Sequence, residues 1–325
     1  MAKPDYYDVG YQAGPQTAYK YRVIFSRGFV MGGYKSSSPW KTVNRHYNKT
    51  DTNYNLGDLL TNECSYVDGA CSPTTGYALG CHGQSSGGHH FSSARVEAIL
   101  FSTETMLTYD SNRDMKTSRA GFDAAQSEEY FWVTGGGSTN TDKFQFVTDT
   151  MYSAGTAGTC SEVILDGGAV EDNVLSHKGY WHDNDAATGS TLTFATDTWV
   201  DWGSLSGGLA SYCTKGLETK EAAAFGYFIA HHGNDRRVTK VTYATGSAPT
   251  VTVLSNAQPS SIGNYQSETM NCTGQNNGRI IAGYNSTQNN MSQKINFVTD
   301  TVTRETSLDA IGHDGASSGA PSQSP

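Results

Sequence analysis

The chain has 325 residues, of which 36% are hydrophobic, 16% charged and 36 in number glycine; it is too poor in charge for a disordered chain and too rich in glycine for a helical bundle. Its net charge of −9, from 22 Lys and Arg against 31 Asp and Glu, excludes the basic footprint that nucleic-acid binding needs. No apolar run reaches the ~18 residues of a membrane-spanning helix. The start Met1-Ala2-Lys3-Pro4-Asp5 lacks the apolar core of a secretory leader, so the expectation is a protein made in a cytoplasm, without membrane insertion.

Residues 1–18, rich in Tyr, Gly and polar side chains, show no periodicity and read as an N-terminal arm. From residue 19 to residue 312 the chain repeats itself. The first copy of the repeated stretch, Arg45-His46-Tyr47-Asn48-Lys49-Thr50-Asp51-Thr52, is a weak one, because its two apolar positions have become His46 and Asn48. Ile99-Leu100-Phe101-Ser102-Thr103-Glu104-Thr105 follows, and then the clearest copy, Lys143-Phe144-Gln145-Phe146-Val147-Thr148-Asp149-Thr150. Further copies are Leu192–Thr198, the degenerate Val241-Thr242-Tyr243-Ala244-Thr245-Gly246-Ser247, and Ile295-Asn296-Phe297-Val298-Thr299-Asp300-Thr301. In the clearest copy Phe144 and Phe146 lie two apart, on one face of a strand, with Gln145 and Val147 on the other. The Thr-Asp-Thr that follows ends the strand, since these short side chains hydrogen-bond nearby backbone and favour a turn.

The first turn Thr of each copy falls at Thr50, Thr103, Thr148, Thr196, Thr245 and Thr299, in steps of 45 to 54 residues. Ahead of each turn an aromatic or aliphatic pair opens a strand: Phe29-Val30, Tyr77-Ala78, Phe131-Trp132, Tyr180-Trp181, Tyr227-Phe228 and Ile280-Ile281. Glycines such as Gly32-Gly33, Gly80 and Gly135-Gly136-Gly137 close that strand, where positive φ and close backbone approach are wanted. Four short strands in roughly 50 residues make a propeller blade. The predicted fold is therefore all-β, a six-bladed β-propeller, with a β-sandwich or an open β-solenoid as the alternatives. Residues 313–325, rich in Ser, Gly and Pro, read as a C-terminal tail. Two segments compete to close the ring, 17–26 and the start of 309–325.

Six cysteines are present. Cys64, Cys160 and Cys213 follow their turn threonines at similar distances and read as small buried thiols. Cys71 and Cys81 flank a loop and form the candidate pair for a disulfide, against a default of free thiols in a cytosolic chain.

Candidate chemistry is sparse. Cys64, Cys71, Cys81, His82, His89 and His90 have zinc-binding side chains at a spacing that fits no paired-ligand motif. His231 and His232 are adjacent, and on a strand they point to opposite faces. His182-Asp183-Asn184-Asp185 offers calcium ligands without the loop pattern that calcium sites use, and turn formation explains it equally well. Neither a nucleophile elbow nor a phosphate loop occurs. The recurring carboxylates Asp51, Glu104, Asp149, Asp197 and Asp300 occupy equivalent positions, so they ring the body and do not converge as a hydrolase pair must. They read as turn formers, and neither an enzyme nor a cofactor nor a metal is expected.

The order of strand, Gly-Gly, strand, polar turn and Trp, clearest in Gly135-Gly136 with Thr148-Asp149-Thr150 and in Thr196-Asp197-Thr198-Trp199, resembles the kelch propellers. The core Lys-Phe-x-Phe-x-Thr-Asp-Thr, best at Lys143–Thr150 and Lys294–Thr301, resembles tandem repeats in virion structural proteins of tailed phages that infect marine cyanobacteria. Those repeats carry Pro where this chain has Gln145 and Asn296. The resemblance implies a virion component, in the tail, neck or capsid surface, whose propeller is a rigid contact platform. Other virion proteins, further copies in a symmetric homo-oligomer, and a host surface glycan or receptor are the partners it implies. A propeller lectin is the alternative, with Trp132, Trp181 and Trp199 as candidate surface-binding platforms or, more plainly, as packing between blades; a propeller hydrolase ranks below it.

Overall fold

A computed structural model of the chain describes residues 27–32, 34–35, 38–39, 41–47, 52–64, 68–72, 74–81, 93–119, 122–127, 129–136, 138–156, 168–172, 178–182, 189–201, 213–218, 225–230, 238–243, 249–254, 270–273, 277–283 and 289–305. The arm at 1–18, the tail at 313–325 and both candidate closing segments (17–26 and 309–325) lie outside the described residues.

Among the described residues, six antiparallel sheets of three or four strands and one two-stranded hairpin follow one another along the chain. The first contains β1 (Arg27–Met31), β4 (Thr42–Tyr47) and β5 (Thr52–Asp58), with a separate small hairpin of β2 (Tyr34–Lys35) and β3 (Ser38–Pro39). The second is β6 (Gly69–Cys71), β7 (Thr75–Leu79), β8 (Val96–Leu100) and β9 (Thr105–Met106). The third is β10 (Phe122–Gln126), β11 (Tyr130–Gly135), β12 (Asn140–Gln145) and β13 (Thr150–Thr156). The fourth is β14 (Gly168–Asp172), β15 (Lys178–His182), β16 (Gly189–Thr193) and β17 (Thr198–Asp201). The fifth is β18 (Cys213–Glu218), β19 (Phe225–Ala230), β20 (Val238–Thr242) and β21 (Thr250–Leu254). The sixth is β22 (Met270–Thr273), β23 (Asn277–Gly283), β24 (Asn289–Asn296) and β25 (Thr301–Glu305). In sheets two to six the strands pair in sequence order, each a four-stranded meander.

Register makes the sheets comparable residue by residue. Phe29 faces Arg45, Tyr77 faces Ala98, Trp132 faces Lys143, Tyr180 faces Thr191, Tyr227 faces Lys240 and Arg279 faces Lys294. Strand β1 is thus the counterpart of β7, β11, β15, β19 and β23, the second strand of each sheet. Neighbouring sheets touch through their first strands, β6 with β10, β10 with β14, β14 with β18 and β18 with β22, and β22 also lies against β1.

The apolar alternation works as the sequence implies: Phe144, Leu192, Val241 and Ile295 at matching positions of the third strands are all buried. The strand is shorter than expected, however. Strand β12 ends at Gln145, and Phe146 to Asp149 form the turn. Val147 is consequently 86% exposed at the turn, not on a strand face. Four-residue hairpin turns need a left-handed residue, and short polar side chains tolerate that conformation best after glycine. Glu104, Asp149, Asp197 and Asp300 supply it, with φ of 57°, 53°, 52° and 56°.

The cysteine reading needs correction. Cys81 pairs with Cys64, at a Cα separation of 4.2 Å, and Cys71 is buried and takes no part in the bridge. Gly80, with φ 84°, turns the chain at the end of β7 and delivers Cys81 to the connection leaving sheet one. Gly32, with φ 78°, leaves the room beside Cys64 that a side chain would fill: a Cβ there would sit 2.6 Å from that of Cys64. Cys71 instead sits on the first strand β6, where the Gln126 side chain of β10 accepts from its backbone N–H at 2.8 Å. The Cys160, Cys213 and Cys272 side chains lie outside the described residues.

Candidate functional site: the junctions between sheets

The turn residues do more than shape turns. In the third sheet Lys143 projects from β12 toward the turn of the fourth, where its Nζ lies 3.0 and 2.8 Å from Oδ1 and Oδ2 of Asp197. Trp132, beside Lys143 on β11, donates its indole N–H to the same Oδ1 at 2.8 Å. Phe194, two residues before the turn Thr, stacks on Trp132 with centroids 4.5 Å apart and planes 8° from parallel. One carboxylate, one cation and two aromatic rings thus join two sheets.

The junction between sheets five and six repeats it. Lys240 reaches both carboxylate oxygens of Asp300 at 2.9 Å, the Tyr227 hydroxyl donates to Oδ1 at 2.5 Å, and Tyr227 stacks on Phe297 at 5.6 Å. Between sheets one and two, Arg45 contacts both oxygens of Glu104 at 2.5 Å and Phe29 stacks on Phe101 at 5.2 Å. Between sheets two and three the cation's register position holds Ala98, and Arg113 from a 3₁₀ turn (Ser111–Arg113) replaces it. Its Nε donates to Asp149 Oδ2 at 2.5 Å, Tyr77 donates to Oδ1 at 3.3 Å, and Tyr77 stacks on Phe146 at 5.9 Å. The fourth junction has the stack of Tyr180 on Tyr243, 5.1 Å apart. There Thr191 stands at the cation position, and the sequence of the facing turn reads Thr245-Gly246-Ser247, without a carboxylate.

Burial, helped by the negative charge of its carboxylate partner, pushes the phenols of Tyr77 and Tyr227 well above their ordinary value. Both hydroxyls donate to those carboxylates in the fold. The threonines act locally: Thr103 shares a hydrogen bond with Thr105 and Thr299 with Thr301, each at 2.7 Å, Thr148 donates to Gln145 at 3.0 Å, and Thr198 donates to the Thr196 carbonyl at 3.4 Å. Thr50, Asp51 and Thr245 lie outside the described residues.

One residue before the cation position sits a second set of polar groups that the sequence reading missed. Glu97 accepts from the backbone N–H of Thr61 and Asn62, both at 2.7 Å, and so anchors the connection arriving from sheet one. Asp142 does the same for the next connection, accepting from Thr117 N–H at 3.2 Å and from Arg119 at 3.3 Å. Arg119 and Asp142 are both 0% exposed; Arg119 also donates to the carbonyls of Gly135 and Asn140, at 2.8 and 2.6 Å. Burial lowers the pKa of the guanidinium, and the Asp142 charge opposes that.

Of the three tryptophans read as candidate surface platforms, Trp132 and Trp181 are each 1% exposed and face neighbouring sheets. Trp181 points its indole N–H at the Asp123 carbonyl of the preceding sheet, 3.5 Å away, and Trp199 packs on it at 4.8 Å. The expectation of a surface-binding role for Trp132 and Trp181 is therefore corrected: stacking and burial between sheets take up the faces a sugar would need. Glu104, Asp149, Asp197 and Asp300 lie one to a junction, each engaged by its own cation. Among the described residues, no group of three or more His, Cys, Asp or Glu is placed to hold a metal ion. His82, His89, His90, His231, His232 and the 183–185 loop lie outside them. None of the described helical residues forms a segment long and apolar enough to cross a membrane.

No protein-family model matches the chain, and no curated protein is significantly similar to it. Solved structures are similar in fold. A chain from the crystal structure of a nidogen/laminin complex superposes with a TM-score of 0.55 at 8% identity, over 90% of this chain and 98% of that one. The structure of YjhT superposes with a TM-score of 0.50 at 10% identity, over 75% of this chain and 84% of that one. Together with the succession of four-stranded meanders, this likeness shows the fold: the chain is all-β, with the architecture of a β-propeller.

Proposed function

We propose that the chain is a six-bladed, kelch-like β-propeller serving as a structural or appendage protein of a phage virion, in the tail, neck or capsid surface. Made in the host cytoplasm, it acts there as a rigid platform for contact with other virion proteins or the host surface. The observation that carries this reading is the use of the repeated motif. Its aromatics, cation and carboxylate all hold one sheet to the next, so the part of the sequence that recurs is scaffold and the loops that vary are left as the contact surface. The position of β22 against β1 supports a closed ring, because β10 meets β15 and β14 meets β19 in the same way at other junctions.

The reading involves no catalysis, and symmetric homo-oligomers are its expected form in the particle. It is tested by light scattering of the purified chain combined with a pull-down against the proteins of disassembled virions. A symmetric oligomer that retains a virion protein is expected. A monomer that retains none and binds a glycan array overturns it in favour of a lectin.

A further inference from the structure

We propose that the Cys64–Cys81 bridge is a redox-operated latch between the first two sheets, open while the chain is in a reducing compartment and closed by oxidation outside it. The staging, though not the latch itself, rests on the cytoplasmic origin proposed above. Cytoplasmic thiols are kept reduced, and bridges persist in oxidising surroundings. A chain made in a cytoplasm and carrying this bridge therefore folds first and oxidises later.

The surroundings of the two cysteines allow that order, because each is held in place without the bond. Ahead of Cys64, Leu60 donates its backbone N–H to the Lys41 carbonyl beside β4 at 3.1 Å. Thr61 and Asn62 donate theirs to Glu97 of β8, both at 2.7 Å. Gly32, at the end of β1, leaves room for Cys64 itself, since a Cβ there would sit 2.4 Å from the Cys64 carbonyl oxygen. Cys81 is fixed by its N–H on the Arg95 carbonyl at 3.0 Å and by its own carbonyl, which accepts from the Ser93 hydroxyl at 2.6 Å. Two thiols positioned in this way meet at high effective concentration, so the bond forms without rearranging the fold. Opening it strands nothing either. A thiol is a weak donor, and an acceptor lies in reach of each: the Asn62 carbonyl 3.7 Å from Cys64 Sγ and the Ala78 carbonyl 3.6 Å from Cys81 Sγ.

The next junction shows what the bond adds. Cys81 follows Gly80, and by register Gly80 is the counterpart of Gly135 at the end of β11. There Arg119, from the connection leaving sheet two, donates to the Gly135 carbonyl at 2.8 Å and pairs with Asp142 at 3.3 Å. In both places the connection from one sheet fastens to the end of the second strand of the next. At Arg119 the fastening is an ion pair with hydrogen bonds, indifferent to redox state. At Cys64 it is covalent and answers to the compartment. Both bridge cysteines are 0% exposed, so a reductant reaches the closed bond only when this connection opens locally.

Closure needs an oxidant, and a low-molecular-weight disulfide of the glutathione type supplies it. The thiolate of one cysteine attacks a sulfur of the small disulfide, forming a mixed disulfide and releasing one small thiolate. The thiolate of the other cysteine then attacks the protein sulfur of the mixed bond and expels the second. Two cysteine thiols are oxidised, one small disulfide is reduced to two thiols, and the two cysteine protons pass through solvent to the released thiolates.

The test is a redox titration of the full chain in glutathione buffers, quenched by alkylation and read by peptide mass spectrometry at Cys64 and Cys81. Complete interconversion of a dithiol and a bridged form is expected, with the same far-UV circular dichroism in both. Closure is expected to raise the thermal midpoint by roughly 4–8 °C and to slow hydrogen exchange over residues 60–64 and 79–81, leaving β11 and β12 unchanged. The Cys64→Ser/Cys81→Ser double variant should fold and lose the redox response. Loss of the sheets on reduction overturns the latch, because the bond is then a staple that folding requires. A bridge that fails to form in oxidised buffer overturns it too, as does a redox response that survives in the double variant. Alkylation inside intact expressing bacteria is expected to trap both thiols free; a bridge already closed there overturns the staging and leaves the latch. The virion reading is judged apart, by the pull-down above, since none of these readouts depends on it.

Discussion

Replacing Asp197 separates the two roles the turn acid plays. It holds φ at 52°, and it binds Lys143 and Trp132 across the junction. Asp197→Asn keeps a residue that tolerates the left-handed conformation and keeps an acceptor for the indole, but discards the charge. The Asp197 side chain is 38% exposed, so the lost lysine pair is worth only about 0.5–1 kcal/mol. Asp197→Ala discards everything. The indole N–H of Trp132, 1% exposed, is left unsatisfied at about 1–3 kcal/mol, and alanine in the left-handed region adds about 1 kcal/mol. The expected losses are therefore about 0.5–1 kcal/mol for Asn and about 2.5–5 kcal/mol for Ala, summing these same contributions. Urea unfolding followed by tryptophan fluorescence measures both, and it reports directly on the ring that loses its partner. Equal losses for the two variants, or a loss below about 0.5 kcal/mol for Ala, would refute the claim that the acid binds across the junction.

Three further outcomes follow from particular contacts. Arg119→Met strands the buried Asp142 and should cost about 3–5 kcal/mol, whereas Arg119→Met with Asp142→Leu should recover most of it; the same urea titration decides. Because Tyr77 and Tyr227 titrate above their ordinary value of 10.0 when folded, their contribution to stability should be constant below about pH 10. Above that it should fall as the unfolded phenols ionise first, by about 1.4 kcal/mol per pH unit for each tyrosine. Tyr227→Phe should shallow that alkaline slope, and an unchanged slope counts against the buried donor. The Cys64–Cys81 bridge spans a sequence separation of 17, so Cys81→Ser should cost about 3 kcal/mol. Thiol titration of the unfolded, unreduced chain should find no more than four of its six cysteines, the bridge holding two.

The repeat was legible because it is written in strongly physical signals: apolar residues two apart, then a polar turn, at a steady period. These made the all-β fold and its succession of short strands legible, and identified Glu104, Asp149, Asp197 and Asp300 as turn residues. They did not reveal what the acids touch. The partners lie 54 to 60 residues away in the cases of Lys143 with Asp197, Arg45 with Glu104 and Lys240 with Asp300, and pairing across sheets has no local pattern. A trace was present nonetheless: the lysine heading Lys143–Thr150 and Lys294–Thr301 recurs with the acid. Arg119 and Asp142 carried no signal, since a buried pair is made by tertiary packing alone. The disulfide was misassigned because loop flanks suggested Cys71 with Cys81, whereas Gly80 turns Cys81 toward Cys64 in the connection from the preceding sheet. The tryptophans were legible as large apolar groups, and burial decided against their exposure.

Class averages of the purified chain in vitreous ice, viewed down the axis of the particle, bear most directly on the propeller as a closed scaffold. A ring of six equal lobes around a central hole, with the lobes of the first and last repeats in contact, is the predicted result. An open arc, a ring of another number, or an elongated rod would contradict it.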